Sequence, residues 1–186
     1  MDDKKIALYP LTPDRWADFE TLFIPDPTCR SCWCMWWRLK RTEFLKNGAE
    51  GNRVAMQALV ASGEIPGLLA YLDDIPVGWV SVGPREAFPT LNRSPRLKPV
   101  DETRVWAIVC FAIARPYRRR GLSAILLRGA VDYALSQHAI VIEGYPVRSI
   151  QGEKDFSAFT GTLSTFLRAG FRVVADRGGR RVVVRR

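Results

Sequence analysis

The segment "RPYRRRGLSAILL", residues 115–127, sets four arginines beside a glycine and then turns apolar. Arginine offers phosphate charge-assisted, often bidentate hydrogen bonds. Glycine lets a backbone approach a ligand closely. Three uses suit that composition: a nucleic-acid patch, a solvated surface, or a loop that holds a phosphate. A second loaded segment, "CRSCWCMWWR" (residues 29–38), packs three cysteines and three tryptophans together. Its C-x-x-C-x-C spacing offers three thiolates, but a structural zinc takes four ligands, and the only histidine, His138, is remote in sequence. No metal is expected. The favoured reading of Cys29, Cys32, Cys34 and their tryptophans is packing beneath the N-terminal helices. His138 reads as a surface or capping residue at a helix end, and Arg85 as a solvated arginine opening a long loop.

The use of the arginine segment depends on what flanks it. Upstream, "RVWAIVCFAIA" (residues 104–114) is apolar on both alternating faces. Val105, Ala107, Val109, Phe111 and Ile113 fall on one face; Trp106, Ile108, Cys110 and Ala112 fall on the other. Such a strand is covered on both sides and central in a sheet. Downstream, residues 121–136 form an amphipathic helix with Leu122, Ile125, Leu126, Ala130, Tyr133 and Ala134 along its apolar stripe. The basic segment therefore joins a buried strand to a helix N-terminus. There, backbone N–H groups without intrahelical partners point one way and, with the helix dipole, suit phosphate or pyrophosphate. Gly121 permits close approach and Ser123 is small. Arg118, Arg119 and Arg120 add charge. A nonspecific nucleic-acid patch needs no such placement.

The remaining elements read as follows. Thr12, Pro13 and Asp14 open a first helix with Trp16, Phe19 and Phe23 buried. "IPDPTCRSCWCMWWR" is a proline-broken loop entering a second helix. Another helix near residues 52–62 carries Val54, Ala55, Ala58 and Leu59 on one side and stops at Gly63. "GLLAYLDDIPVGWVSVG" is an antiparallel hairpin turning at "DDIP", followed by a polar, proline-rich surface loop. "AIVIEGYP" is a strand, "FSAFTGTLSTFLRAGF" a short helix ending near Gly170, and "FRVVA" and "RVVV" a hairpin turning at Gly178 and Gly179. The order gives an α/β fold: one mixed, mostly antiparallel central sheet flanked by helices, as a single domain over residues 1–186.

The whole chain bounds the function. Its 186 residues suffice for a sizeable core, and 28 basic against 19 acidic residues leave a net charge of +9. That charge draws nucleic acid, anionic lipid or a phosphorylated cofactor alike. No apolar run is long enough for a transmembrane helix, and "MDDKKIALYPL" has no apolar core for a secretory signal. A cytoplasmic location with reduced thiols is expected. The terminal "RGGRRVVVRR" reads as a hairpin with arginines on its exposed face. Aromatics fall mostly at buried positions, which ranks nucleic acid last among partners.

Arg118-Arg119-Arg120-Gly121-Leu122-Ser123 resembles the R/Q-x-x-G-x-G/A acyl-CoA loop of the GNAT-type N-acetyltransferase superfamily. Ile113, five residues before Arg118, matches the aliphatic residue that ends the preceding strand. "FLRAGF" is similar to the family's later Y-x-x-x-G-F segment, and the element order fits across nearly the whole chain. The resemblance implies acetyl-CoA as cosubstrate, with pantetheine along Phe111, Ala112 and Ile113 and pyrophosphate on the N–H groups of Arg119, Arg120, Gly121, Leu122, Ser123 and Ala124. It implies direct transfer of the acetyl group to a primary amine, driven largely by orientation, with a strand N–H polarising the acetyl carbonyl. It further implies no membrane partner and a homodimer as the usual assembly.

Two positions depart from the pattern. Ser123 replaces the last small Gly or Ala. Phe166 stands where many members carry the tyrosine that protonates the departing thiolate, and phenylalanine cannot donate a proton. Tyr145 is the substitute candidate acid and Glu143 a candidate base through water, with Ser164 and Thr165 as others. In the resembling fold the first helices border the acceptor cleft, so Trp33, Trp36 and Trp37 are candidates to line it and to attract a cationic amine. The other functional class is a noncatalytic acyl-CoA-binding or sensing module that kept the loop and lost its acid.

Overall fold

The computed structural model describes residues 6–148 and 158–186. Residues 1–5, part of the segment read as lacking a leader, lie outside the described residues, as do Phe156 and Ser157 of the last helical segment. Seven strands form one mixed sheet: β1 (Ile6–Pro10), β2 (Gly67–Leu72), β3 (Ile75–Pro84), β4 (Trp106–Ile113), β5 (Ile142–Gly144), β6 (Arg172–Ala175) and β7 (Val183–Arg185). Their spatial order is β1-β2-β3-β4-β5-β7-β6. Every strand pair is antiparallel except β4–β5. The β2–β3 turn places Asp73 and Asp74 at φ 48° and 63°, the two left-handed positions that match a tight hairpin to strand twist.

Strand β4 is central, as its two-faced apolarity predicts, but strict alternation fails. Its register against β3 shifts between Ser81 and Val82, so that Ser81 opposes Cys110 while Val82 opposes Ile108. Val109 is the extra residue of a β-bulge, which flips the side-chain order beyond it. Trp106, Ile108, Phe111 and Ile113 consequently pack on one face. Ala107, Val109, Cys110 and Ala112 pack on the other.

Among the described residues, six α-helices flank the sheet: α1 (Trp16–Phe23), α2 (Pro27–Cys32), α3 (Arg41–Ala61), α4 (Thr90–Arg93), α5 (Leu122–Ser136) and α6 (Leu163–Arg168). Helices α5 and α6 cover one face through residues such as Leu126, Ala130 and Phe166. The other face receives Phe19 and Phe23 of α1 against Trp79, together with Met56 of α3 and Trp33. Thr12 precedes α1 with extended backbone, yet its hydroxyl accepts from Arg15 (2.9 Å) and makes no backbone cap. Asp26 is the true cap in this region, accepting from the N–H groups of Thr28 and Cys29 at the start of α2.

Helix α3 begins eleven residues before the predicted start at residue 52, with Gly48 (φ 61°, ψ −166°) interrupting it. Its buried row is Asn52, Met56 and Val60, while Val54 is exposed. The i, i+4 row wins because Met56 and Val60 meet the aromatic core, and Asn52 donates to Ser31 O (3.1 Å). Gly63 ends the helix at φ +88° as expected. In the last hairpin Gly178 and Gly179 take the left-handed turn. Its arginines are not all on the outside: Arg181 and Arg185 are half-buried.

Candidate functional site

Strand β5 pairs with β4 only through Trp106, Ala107 and Ile108 and then leaves it. Among the described residues no strand pairs with the rest of that β4 edge. Ala114 N–H donates to Val77 O on the β3 side (3.0 Å). By alternation, the amides of Ile113 and Phe111 face the opposite, open edge. Without the Val109 bulge, Cys110 and Ala112 would face it instead. The edge thus offers main-chain groups to an extended ligand, as a sheet edge does to an added strand.

The chain then passes through a 3-10 turn (Arg115–Tyr117) to Gly121, which sits at the N-cap of α5 with φ 81° and no side-chain cap. Among the described residues, the backbone N–H groups of Arg119, Arg120, Gly121, Leu122 and Ser123 have no backbone acceptor. Ala124 differs from the sequence expectation, since its N–H already bonds Gly121 O at 3.0 Å. A Cβ at Gly121 would meet nothing within 4 Å, so the approach is open. Five amides at the positive end of a four-turn helix make an anion cradle.

The arginines divide their work. Arg118 donates to Ile113 O (2.9 Å) and to Asp26 Oδ2 (2.8 Å), stapling the end of β4 to the start of α2. That corrects its expected use as a free phosphate ligand. Burial pushes the Asp26 carboxyl up, but the Arg118 bond and the Cys29 and Thr28 amides outweigh it and hold it below its ordinary value. Arg119 is exposed with φ 60°, and Arg120 lies over the Tyr117 ring (5.8 Å).

A cavity of about 430 Å³ opens beside the free β4 edge, with Phe111 and Ala112 in its wall. Trp36, Trp37, Phe44 and Phe159 form its aromatic walls. Trp33, the third tryptophan candidate, is not among the lining residues. It is buried with left-handed backbone (φ 46°) between Trp16 (6.2 Å) and Phe23 (5.7 Å). The local chain reversal after α2 turns it inward and sends Trp36 and Trp37 to the cavity. Arg181 also reaches the wall, with its guanidinium 5.2 Å from the Phe159 ring centroid and 5.9 Å from that of Trp37.

Tyr145 and Glu143 do come together, but behind the cavity. Their side chains are 0% and 1% exposed, and neither lines it. Tyr145 donates to Glu143 Oε1 (2.5 Å), Arg85 donates to both, and Arg185 donates to Glu143 Oε2 (2.8 Å). Arg85 also donates to Asn92 Oδ1 and Leu97 O, and is 8% exposed. This overturns the reading of Arg85 as solvated. Every oxygen of Glu143 is occupied, so the carboxylate is paired rather than aimed at a ligand. Burial and the Glu143 charge push the Tyr145 phenol well above its ordinary value. Nothing in sequence spacing signals this network, because Arg85 and Glu143 are 58 residues apart.

The acetyltransferase (GNAT) family profile matches residues 31–146. The chain belongs to that family. Solved structures agree on the fold at low identity. The N-acetyltransferase PaiA of Thermoplasma acidophilum, in complex with coenzyme A, superposes with a TM-score of 0.56 at 12% identity, covering 98% of each chain. A GNAT acetyltransferase of Listeria monocytogenes gives 0.57 at 9% identity, covering 97% of this chain and 94% of that one. One from Streptococcus pneumoniae gives 0.54 at 12% identity, covering 98% and 99%. No curated protein matched in sequence.

Phe166 is fully buried, edge-on to Phe111 (6.2 Å) and Phe171 (5.0 Å), and packs where Gly144 leaves no room for a side chain. Ser164 and Thr165 hydrogen-bond Thr162 at the start of α6 and do not line the cavity. His138 is exposed just past α5, with φ 63°. All four cysteines line the cavity. Among the described residues no cluster of three or more His, Cys, Asp or Glu is arranged to hold a metal. Cys34 Sγ accepts from Trp79 Nε1 (3.0 Å). Burial pushes Cys34 up, but the Cys110 S–H and Trp79 N–H bonds bring it below the ordinary thiol value. Burial raises Cys29 and Cys32 to about 12. Among the described residues no helix is long and apolar enough to cross a membrane.

Proposed function

We propose that the chain transfers the acetyl group of acetyl-CoA directly to a primary amine. The observation that carries this reading is the continuous path from the open β4 edge at Phe111 and Ile113 to the unpaired amides at the start of α5. The acetyl thioester supplies an activated acyl group. Phe111, Ala112 and Ile113 would hold the pantetheine, and the amides of Arg119, Arg120, Gly121, Leu122 and Ser123 the pyrophosphate. Arg119 and Arg120 add charge, whereas Arg118 fixes the loop. An outward strand N–H at Phe111 or Ile113 would polarise the acetyl carbonyl. The amine nitrogen bonds the acetyl carbon, the carbon–sulfur bond breaks, and one amine proton reaches the leaving sulfur through water.

Trp36 and Trp37 border the acceptor side. Tyr145 and Glu143 act here as positioning residues, since their network ties the loop after β3 to β5 and β7. The test is incubation with acetyl-CoA and an amine panel, following free thiol release, alongside a thermal shift with CoA. Stabilisation by CoA and amine-dependent thiol release support the reading; absence of any shift with CoA overturns it. One observation favours a noncatalytic acyl-CoA sensor: neither Phe166 nor buried Tyr145 offers a proton donor to the cavity. Stabilisation without thiol release for any amine would select that alternative.

A further inference from the structure

The cavity beside the β4 edge says what kind of amine it takes, on the assumption that the acetyl-transfer reading holds. Its walls are aromatic and sulfur-bearing: Trp36, Trp37, Phe44 and Phe159 stand opposite the cysteines. Among the described residues that line it there is no carboxylate, and the only formal charge is the Arg181 guanidinium. Its volume of about 430 Å³ lies at the small end of the ~300–1,000 Å³ typical of small-molecule sites.

Each feature selects. A polyamine or a lysine-rich peptide carries further ammonium groups, which need carboxylate partners or water. The described wall offers them no carboxylate. An aromatic body, by contrast, gains offset or edge-on contacts with the tryptophan and phenylalanine rings. Nucleophilic attack needs the free lone pair, so the amine reacts as the neutral base after losing its proton to water, and the described wall holds no carboxylate to keep it charged. That removes the need for a protein base, and Glu143, the sequence candidate, is locked behind the cavity.

We infer that the acceptor is a small primary amine whose remaining body is apolar and aromatic. The test measures acetyl transfer to phenethylamine, spermidine and a lysine-bearing peptide, with CoA thermal shift run in parallel on the same preparation. Phenethylamine is expected to exceed the other two in kcat/KM by about tenfold or more, the range one pocket contact discriminates. Trp36→Ala is expected to raise the KM for phenethylamine up to about tenfold, the worth of a lost aromatic pair, with the KM for acetyl-CoA unchanged and Trp36→Phe restoring most of the loss. Trp36 is half-buried against Phe44 (5.3 Å), so its truncation spares the main core. Spermidine or the peptide equalling phenethylamine overturns the inference, as does turnover of either with none of phenethylamine; a CoA shift with no amine turned over overturns the underlying reading instead. Loss of the CoA shift itself does the same.

Discussion

Replacing Gly121 by aspartate and by asparagine separates backbone from charge at the phosphate cradle. Gly121 has φ 81°, a left-handed conformation that costs most side chains about 1–2 kcal/mol, though Asn and Asp adopt it most readily. A Cβ there meets no atom within 4 Å, so neither substitution forces a clash. The two side chains are nearly isosteric, and their difference is one negative charge at the mouth of the cradle. At ~6 Å from a pyrophosphate carrying two charges, and with water between, that charge costs about 0.7 kcal/mol per pair, or ~1.4 kcal/mol in all. CoA affinity of Gly121→Asp should therefore fall about tenfold below that of Gly121→Asn. Titration calorimetry at 50 mM and 500 mM salt checks this, because an electrostatic gap shrinks with screening. Equal affinities for the two variants, or a gap indifferent to salt, would falsify the assignment of these amides to phosphate.

Other consequences are as sharp. Tyr145→Phe should lower stability in urea by about 1.5–3 kcal/mol, the worth of a buried bond to a charged partner, and leave kcat intact. A kcat loss of about 100-fold or more, as expected for a lost general acid, would return Tyr145 to the chemistry. Asp26→Asn keeps the α2 cap oxygen but loses the charge that holds Arg118. The Asp26 carboxyl lies below its ordinary 3.8 in the folded chain. Its contribution is therefore present at neutral pH and lost as pH falls through the folded value. The melting-temperature gap between wild type and Asp26→Asn should be open at pH 7 and close in acid; a constant gap contradicts the ion pair. Finally, log kcat/KM should rise with unit slope up to the free amine's own pKa and move with the amine. An inflection near neutrality common to all amines would reveal a protein base after all.

Local signals carried much of the fold. Gly63, Gly121, Gly170, Gly178 and Gly179 all take positive φ where turns or helix ends were read, since only the backbone constraint matters at such positions. The centrality of β4 and the run of α5 followed from apolar pattern. Strand β1 went unread, because a five-residue edge strand that is half-buried and ends in proline shows little alternation. On α3 the expected Ala55 and Leu59 do pack against the core, but Val54 is exposed and the fully buried row is Asn52, Met56 and Val60, because that packing depends on partners elsewhere in the chain. At the site, the run of unpaired amides before α5 is legible because it is contiguous in sequence. The roles of Arg85, Arg118 and Trp33 are not, since each depends on a partner brought from another element. Arg118 in particular looks identical in sequence to Arg119 and Arg120; only Asp26, 92 residues away, sets it apart.

One residue that no composition or motif singles out decides whether the site exists. Val109 is an ordinary apolar strand residue, and alternation alone would aim the amides of Cys110 and Ala112 at the open edge. The bulge there turns those amides toward β3 and presents Phe111 and Ile113 instead. It simultaneously puts Cys110 and Ala112 on the aromatic face, where both line the cavity. A single inserted residue thus sets two directions at once: the main chain toward the open edge and the side chains toward the cavity. The missing acid at Phe166 then matters less than it first suggests. In the proposed reaction the amine enters uncharged, and coenzyme A is a leaving group that water can protonate. Orientation by the β4 edge and selection by the aromatic wall would then do the work that a tyrosine would otherwise assist.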